Sequence, residues 1–175
     1  MLQQIGYVPQ DQFLFSTSIK ENIRFANPEL SQEEVEKAAE LTAIHTDILE
    51  MPNGYDTVVG ERGVSLSGGQ KQRISIARAL IIKPELLILD DALSAVDAKT
   101  EERILSALKK ERSEQTTIIA AHRISSVMHA DEIIVIDNGE VIERGTHADL
   151  LIQNGWYKEM FDSQQLEQKI EGGAD

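Results

Sequence analysis

Three short stretches of this sequence carry side chains suited to binding phosphate and magnesium. Residues 66–70 read LSGGQ and open a predicted helix, whose free backbone N–H groups and dipole favour an anion. Residues 86–90 read LLILD, a predicted buried strand that ends in a carboxylate, and His122 follows a further apolar run. Together these groups are typical of a nucleotide site. Each also has a plainer interpretation, since a Ser-Gly-Gly run usually caps a helix and a lone histidine is more often structural.

The loop that grips phosphates in many nucleotide-binding proteins is not encoded here, because no G-x-x-x-x-G-K-[ST] motif occurs in the 175 residues. The residues after Met1 are predicted to enter a strand at once. We therefore expect an internal cut in a longer chain.

Composition narrows the possible functions. The chain is 41% hydrophobic and 27% charged, as in an ordinary globular domain large enough to bury a core. It has no cysteine, which excludes disulfides, cysteine-ligated zinc and thiol catalysis and agrees with a reducing compartment. Its net charge of −13, without a basic stripe, argues against nucleic acid as a partner.

Apolar spacing and turn signals predict an α/β protein with a parallel sheet. Strands are predicted at 4–8, 86–90 and 116–121, and a hairpin at 133–143 turns on Asn138-Gly139. Residues 11–65 are predicted to form a helical insertion without a strand. Helices are predicted from Ser18 and Ser31, which open capping-box patterns, over 68–82 before Pro84, over 98–112 and 124–128, and from Thr146 and Trp156.

The string LSGGQKQRISIARAL at residues 66–80 resembles the signature of ATP-binding cassette (ABC) proteins, and the resemblance extends over almost the whole chain. It implies a P-loop NTPase (RecA-like) cassette core with a parallel sheet and a helical signature subdomain. The N-terminal β region and the phosphate loop of such a cassette would be missing. The helical subdomain would span about 11–83, and the core with its C-terminal helices would comprise 1–10 and 84–175.

This resemblance also implies site residues, with ATP and Mg²⁺ as cofactors. Residues 7–10 (YVPQ) resemble the Q-loop, 86–90 the Walker B strand, and 94–97 (SAVD) the D-loop, while His122 resembles the switch histidine. The implied residues are Ser67, Gly68, Gly69, Gln70 and Asp97 for nucleotide, Asp90 and Gln10 for the metal, and Asp91, His122 and Gln10 for catalysis.

Stretches 11–15 and 18–23 resemble the exporter branch of the family, in which this region contacts the coupling helices of the membrane domain. Residues 59–63 resemble an exporter loop that responds to the same contact. The implied partners are the coupling helices of a transmembrane domain and a second cassette, closed head to tail around ATP at the cytoplasmic face of the membrane. In that arrangement residues 67–70 reach the partner's nucleotide, whereas Gln10, Asp90, Asp91 and His122 serve the chain's own.

Asp91 departs from the family pattern, because members that hydrolyse ATP efficiently carry Glu directly after the metal-binding Asp. Aspartate is one methylene shorter, which sets its oxygens back by about 1.5 Å. A misplacement of about 1 Å can cost on the order of a hundredfold in rate. The sequence here resembles the degenerate half of a bacterial heterodimeric multidrug exporter, whose partner keeps its Glu. A tolerated conservative change is the alternative.

Three classes of function follow from these features. The first is the ATPase part of a membrane exporter, inactive as an isolated fragment. The second is a non-catalytic cassette that acts only as a binding or regulatory half. The third, a nucleic-acid-linked ABC ATPase, is disfavoured by the acidic charge and by the exporter-like run 12–23. Outside these motifs, we expect His45, His129 and His147 to be structural or exposed, and Trp156 and Tyr157 to anchor the last helix.

Overall fold

The computed structural model describes residues 5–60 and 63–172. The chain divides into two compact units, the first ending at Ala121 and the second beginning at His122. The first unit contains a parallel sheet and most of the helices. Its elements are β1 (Ile5–Val8), α1 (Ile19–Ile23), α2 (Gln32–Leu41), α3 (His45–Leu49), a 3₁₀ turn (Gly54–Asp56), α4 (Gly68–Leu80), β2 (Leu86–Asp90), α5 (Ala98–Glu111) and β3 (Thr116–Ala120).

The sheet of the first unit has the order β1-β2-β3, with both pairings parallel. Ile5 pairs with Leu86, and Leu86 with Thr116, so the carboxyl ends of the strands share one edge. Ligands bind at this edge in open α/β sheets. The fold class predicted from the sequence is confirmed.

Helix α4 lies between two apolar clusters of the first unit. Its Ile74 and Ala77 pack with α1, α2 and α3, while Ile76 and Leu80 pack with β2 and α5. A helix turns by 100° per residue, so Ile74 and Ile76 face opposite sides. Burial on both sides fixes the helix that begins at Gly68.

The second unit is built on an antiparallel hairpin. Its elements are α6 (Ile124–Val127), β4 (Ile133–Asp137), β5 (Glu140–Gly145), α7 (His147–Gln153) and α8 (Trp156–Gly172). Asn138 and Gly139 both have positive φ, at 47° and 81°, as the predicted type I′ turn requires. Glu143 of β5 accepts the backbone N–H groups of Trp156 and Tyr157 and so caps α8.

Most predicted helices and strands are confirmed within one or two residues, and the differences have local causes. Helix α4 ends at Leu80 rather than at 82, because Lys83 adopts a left-handed φ of 49° before Pro84, where helical backbone is disfavoured. Ser18 caps α1, but Glu21 pairs with Arg24 at 2.6 Å instead of completing a capping box. Ser31 forms the full box.

Three predicted features differ from the structure or lie partly outside it. Tyr157 is buried and anchors α8, whereas Trp156 is 48% exposed, so the prediction that Trp156 is a packing anchor is wrong. Leu87 and Leu89 of β2 are buried, while Leu86 and Ile88 are half-buried. Of the exporter-like stretch 59–63, Glu61 and Arg62 lie outside the described residues.

Candidate functional site

Asp90 ends strand β2 at the edge of the sheet where ligands are expected. Its carboxylate is half-buried and accepts a hydrogen bond from the Tyr7 hydroxyl, with 3.2 Å between the oxygens. The parallel pairing that sets Tyr7 beside Ile88 brings its ring to this carboxylate. Partial desolvation and the bond to Asp90 raise the pKa of Tyr7, so it remains a donor at neutral pH.

Asp91 turns the chain sharply out of the sheet. Its φ of 48° is left-handed, which is uncommon for a residue with a side chain. Its N–H donates to the Ala120 carbonyl at 2.8 Å, and its own carbonyl accepts from Ser94 Oγ at 3.0 Å. The backbone of Asp91 is therefore held from both sides, and this fixes where its carboxylate leaves the chain.

The adjacent carboxylates suit Mg²⁺ better than a metal that needs a protein cage. In the part of the chain that the structure describes, no group of three or more histidine, aspartate or glutamate side chains could hold a metal. Mg²⁺ keeps several waters and binds one or two carboxylates together with substrate phosphates. Asp90, with one oxygen bonded to Tyr7, matches that requirement.

Ser67, Gly68, Gly69 and Gln70 form the first turn of α4. Ser67 Oγ accepts from the Gln70 N–H at 3.2 Å, and Gln70 Oε1 accepts from the Ser67 N–H at 3.0 Å. This capping box uses two of the donors at the helix end. The N–H groups of Gly68 and Gly69 have no acceptor among the described residues. They remain available to an anion, and the helix dipole favours one there.

A clamp formed by Asp47 of α3 holds this turn from one side. Arg73 donates to both oxygens of Asp47, at 2.8 Å and 3.2 Å, and Gln70 Nε2 donates to Oδ1 at 3.3 Å. Arg73 also donates to the Ala43 carbonyl at 2.6 Å. Desolvation of Asp47 opposes its ionisation, but the hydrogen bond and charge of Arg73 outweigh it and lower the pKa of Asp47.

Sequence reasoning missed this clamp. Arg73 lies one helical turn after Gln70, which hints at a shared face, but Asp47 precedes Arg73 by 26 residues. No local pattern points to it.

Asp97 caps helix α5 and is exposed. Its Oδ1 accepts from the Thr100 N–H at 3.0 Å, and this bond lowers the pKa of Asp97. The cap supports the plainer interpretation of this residue.

Gln10 and His122 are both exposed. Gln10 follows β1 by two residues, and its side chain makes no hydrogen bond to any described residue. His122 belongs to the second unit, where its carbonyl accepts from Gln164 Nε2 at 2.8 Å. Within the first unit, the structure brings together Asp90 with Tyr7, and the Ser67–Gln70 turn with the segment after Asp91.

Two of the other histidines make structural contacts, as expected. His45 Nδ1 lies 2.7 Å from the Tyr55 hydroxyl, and His147 Nδ1 lies 2.8 Å from the Tyr157 hydroxyl. His129 is exposed. Among the described residues, no helix combines the length and the apolar character needed to cross a membrane.

Comparison with known proteins agrees with this geometry. The model of the family described as ABC transporter matches residues 1–94. The chain is 57% identical over 169 residues to the multidrug resistance-like ATP-binding protein MdlA of Buchnera aphidicola subsp. Schizaphis graminum (strain Sg), covering 96% of this chain and 29% of that protein. It is 54% identical over 170 residues to the probable multidrug resistance ABC transporter ATP-binding/permease protein YheI of Bacillus subtilis (strain 168), covering 97% and 29%.

A solved structure gives the same result at the level of the fold. The chain superposes with a TM-score of 0.88 on a bacterial Atm1-family ABC exporter with ATP bound, at 46% identity, covering 94% of this chain and 29% of that one. The protein belongs to the ABC transporter family, and its fold is the α/β fold of the ABC cassette. It spans about 29% of the length of these relatives.

Proposed function

We propose that this chain is part of the nucleotide-binding domain of an ABC exporter. ATP binding and hydrolysis in a head-to-tail cassette dimer would drive transport of multiple drugs. One observation carries the proposal. The α4 turn with the unpaired N–H groups of Gly68 and Gly69 packs against the segment that follows the carboxylates Asp90 and Asp91. In a head-to-tail dimer, each cassette has to supply an anion-binding helix end for its partner's nucleotide and a carboxylate suited to Mg²⁺ for its own.

We assign each residue the role that its motif has in the ABC family. Asp90 would hold Mg²⁺ at its free oxygen, Asp91 would occupy the position of the catalytic carboxylate, and Gln10 and His122 would orient the attacking water and the terminal phosphate. Bound Mg²⁺ would offset the negative charge of the phosphates. Ser67, Gly68, Gly69, Gln70 and Asp97 would reach the nucleotide of a second cassette.

Asp91 supports a difference in hydrolytic activity between the two cassettes. Its shorter side chain favours a weakened site in this chain, paired with a different subunit that keeps a catalytic Glu. A non-catalytic, regulatory half is the limiting case of the same arrangement. We also propose that tight ATP binding needs a phosphate loop outside these 175 residues.

The surface near residues 11–25 supports contact with a membrane domain. Phe13 and Phe25 are 65% and 53% exposed, and Phe15 stacks on Phe25 with ring centroids 4.2 Å apart. Arg78 of α4 donates to the Phe13 carbonyl at 2.9 Å, and its guanidinium lies 5.4 Å from the Phe15 ring centroid. Exposed aromatic groups on a fixed base suit an interface. We propose that this surface contacts coupling helices at the cytoplasmic face of the membrane. We also propose that it belongs to a helical subdomain of about 11–83, and that 1–10 and 84–175 form the core.

The experiment measures ATP turnover and drug efflux by the full-length protein and its partner subunit in membrane vesicles. Asp90→Asn should lower turnover at this site because it removes the negative charge that holds Mg²⁺. Gly68→Asp should lower it at the partner's site because it puts a negative charge where phosphate binds. Ser113→Ala, on an exposed residue after α5, is the control.

If neither Asp90→Asn nor Gly68→Asp changed ATP turnover or drug efflux, the proposal would be wrong. On the 175-residue chain alone, calorimetry with Mg-ATP should detect no tight binding. Tight one-to-one binding by this chain would contradict the requirement for a separate phosphate loop.

A further inference from the structure

Gln72 is a buried polar residue of α4 that the proposed site does not use. Its side chain is only 3% exposed. A buried carboxamide has two N–H donors and one oxygen acceptor to satisfy, and leaving them unpaired is costly. Gln72 lies two residues after Gln70, so it points to the side of the helix away from the Asp47 clamp.

The Gln72 carboxamide is bonded to the segment between Asp90 and Asp97. The Ala95 N–H donates to Gln72 Oε1 at 2.9 Å, and Gln72 Nε2 donates to Ser94 Oγ at 3.0 Å. Nε2 also lies 3.5 Å from the Asp91 carbonyl oxygen. A single side chain of α4 therefore holds the loop that follows β2.

These bonds reach Asp91 through Ser94. Ser94 Oγ donates to the Asp91 carbonyl at 3.0 Å, and the left-handed backbone of Asp91 costs free energy unless its surroundings hold it. Without Gln72, Ser94 and Ala95 would lose their anchor on α4. The direction of the Asp91 carboxylate would then vary.

The same loop contacts the first turn of α4. A Cβ built on Gly69 would lie 2.7 Å from the Ala95 carbonyl oxygen, and one built on Gly68 would lie 3.2 Å from the Ala95 Cβ. A shift of Ala95 therefore has to move the turn that carries the free N–H groups. Gln72 therefore bonds the loop after β2 to the helix that begins with the Ser67–Gln70 turn.

We propose that Gln72 is a positioning residue that couples the Ser67–Gln70 turn to Asp91. The inference rests on the proposed function, in which Asp91 serves the chain's own nucleotide and the turn serves the partner's. A change at one nucleotide is then transmitted to the other through the buried Gln72 carboxamide and the contact of Ala95 with Gly69. Gln72 itself touches neither nucleotide.

The first test measures amide hydrogen exchange in this chain. Gln72→Met keeps the length of the side chain and removes its hydrogen bonds. Gln32→Met makes the same exchange at an exposed position of α2, where Gln32 donates to Glu36. In Gln72→Met, exchange of the Ala95 amide should rise about tenfold, as for one lost buried hydrogen bond. The Gln70 and Lys71 amides should follow, and α5 should not change.

Two results would overturn the coupling in this test. One is unchanged exchange at Ala95, and the other is a uniform rise over the whole chain, which would mean that Gln72 only stabilises the fold. Gln72→Glu is a second variant should Gln72→Met fail to fold. It keeps an acceptor for the Ala95 N–H and loses the donor to Ser94, so exchange at Ala95 should rise less than in Gln72→Met.

The second test uses the full-length transporter with its partner. Gln72→Met should lower kcat for ATP hydrolysis about tenfold, because it shifts the Ser67–Gln70 turn that serves the partner's nucleotide, where the catalytic Glu lies, and should change KM for ATP less than about twofold. Gln72→Glu should lie between this variant and the wild type. Unchanged kcat would contradict the coupling. A wild-type transporter without ATP turnover would instead contradict the proposed function, and the exchange test would still decide whether Gln72 links the two segments.

Discussion

The backbone of Ala95 excludes any side chain at Gly69. A Cβ at Gly69 would lie 2.7 Å from the Ala95 carbonyl oxygen, closer than real Cβ contacts allow, and the obstacle is backbone that cannot rotate aside. At Gly68 the nearest atom is the Ala95 Cβ at 3.2 Å, which a small movement can relieve. The two glycines of the signature turn thus differ, although the sequence alone does not distinguish them.

Gly69→Ala should therefore be more harmful than Gly68→Ala. The added methyl in Gly69→Ala should lower the free energy of unfolding by about 1–3 kcal/mol, as overpacking does. In Gly68→Ala the better helix propensity of alanine, at most about 1 kcal/mol, offsets the milder contact. Urea unfolding of both variants measures the difference. Equal stability of the two would contradict the packing described here.

Asp47→Asn should remove a contribution to stability that depends on pH. The pKa of Asp47 is lower in the folded chain than its ordinary value of about 3.9, so the folded state gains from its ionisation. That gain is complete above the unfolded pKa and is lost as the pH falls through the folded pKa. We expect the wild type to exceed Asp47→Asn by about 1 kcal/mol above about pH 5 and to lose this advantage towards about pH 2.

Unfolding by urea at several pH values measures the Asp47 effect. Asp11→Asn is the matched control, because Asp11 is exposed and the structure gives it no partner among the described residues. The difference between Asp47→Asn and Asp11→Asn isolates what the ion pair with Arg73 contributes. A stability difference between wild type and Asp47→Asn that stays constant down to about pH 2 would contradict the ion pair with Arg73.

Tyr7→Phe should weaken the response of the transporter to Mg²⁺. The variant removes the hydroxyl that holds one oxygen of Asp90 and leaves the ring in place. The carboxylate then has more orientations to lose on binding the metal, so the Mg²⁺ concentration for half-maximal ATP turnover should rise by about threefold. Tyr157→Phe, which loses its bond to His147 in the second unit, should leave that concentration unchanged. The same Mg²⁺ dependence in all three proteins would rule out the role of Tyr7.

Asp91→Glu should raise ATP turnover at this chain's site. The extra methylene advances the carboxylate by about 1.5 Å, and correcting a misplacement of this size is worth up to about a hundredfold. The measurement needs a transporter whose partner subunit lacks its catalytic Glu, so that only this site contributes. Asp137→Glu, at the exposed last residue of β4, is the control. No rise in that background would show that the length of Asp91 does not limit hydrolysis.

Short-range patterns in the sequence were enough to predict most of the helices and strands. The capping box at Ser31 and the Asn138-Gly139 turn each involve residues within four positions of each other, and the structure confirms both. The parallel sheet and the end of β2 at Asp90 also followed from the apolar runs. The apolar pattern predicted the ends of helices less accurately. Helix α4 ends two residues early, before the left-handed Lys83, although the apolar pattern continues to Ile82.

The support of the candidate site was not predictable in this way. The partners of Gln72 and Arg73 lie 23 and 26 residues away in the chain, at Ala95 and Asp47. Such pairs form only when α4 is packed on both faces, and no local spacing encodes them. The sequence by itself determined which elements form and which residue types reach the site. Only the tertiary structure decided which backbone and side-chain groups hold Gly69 and Asp91, because those contacts depend on how separate elements pack together.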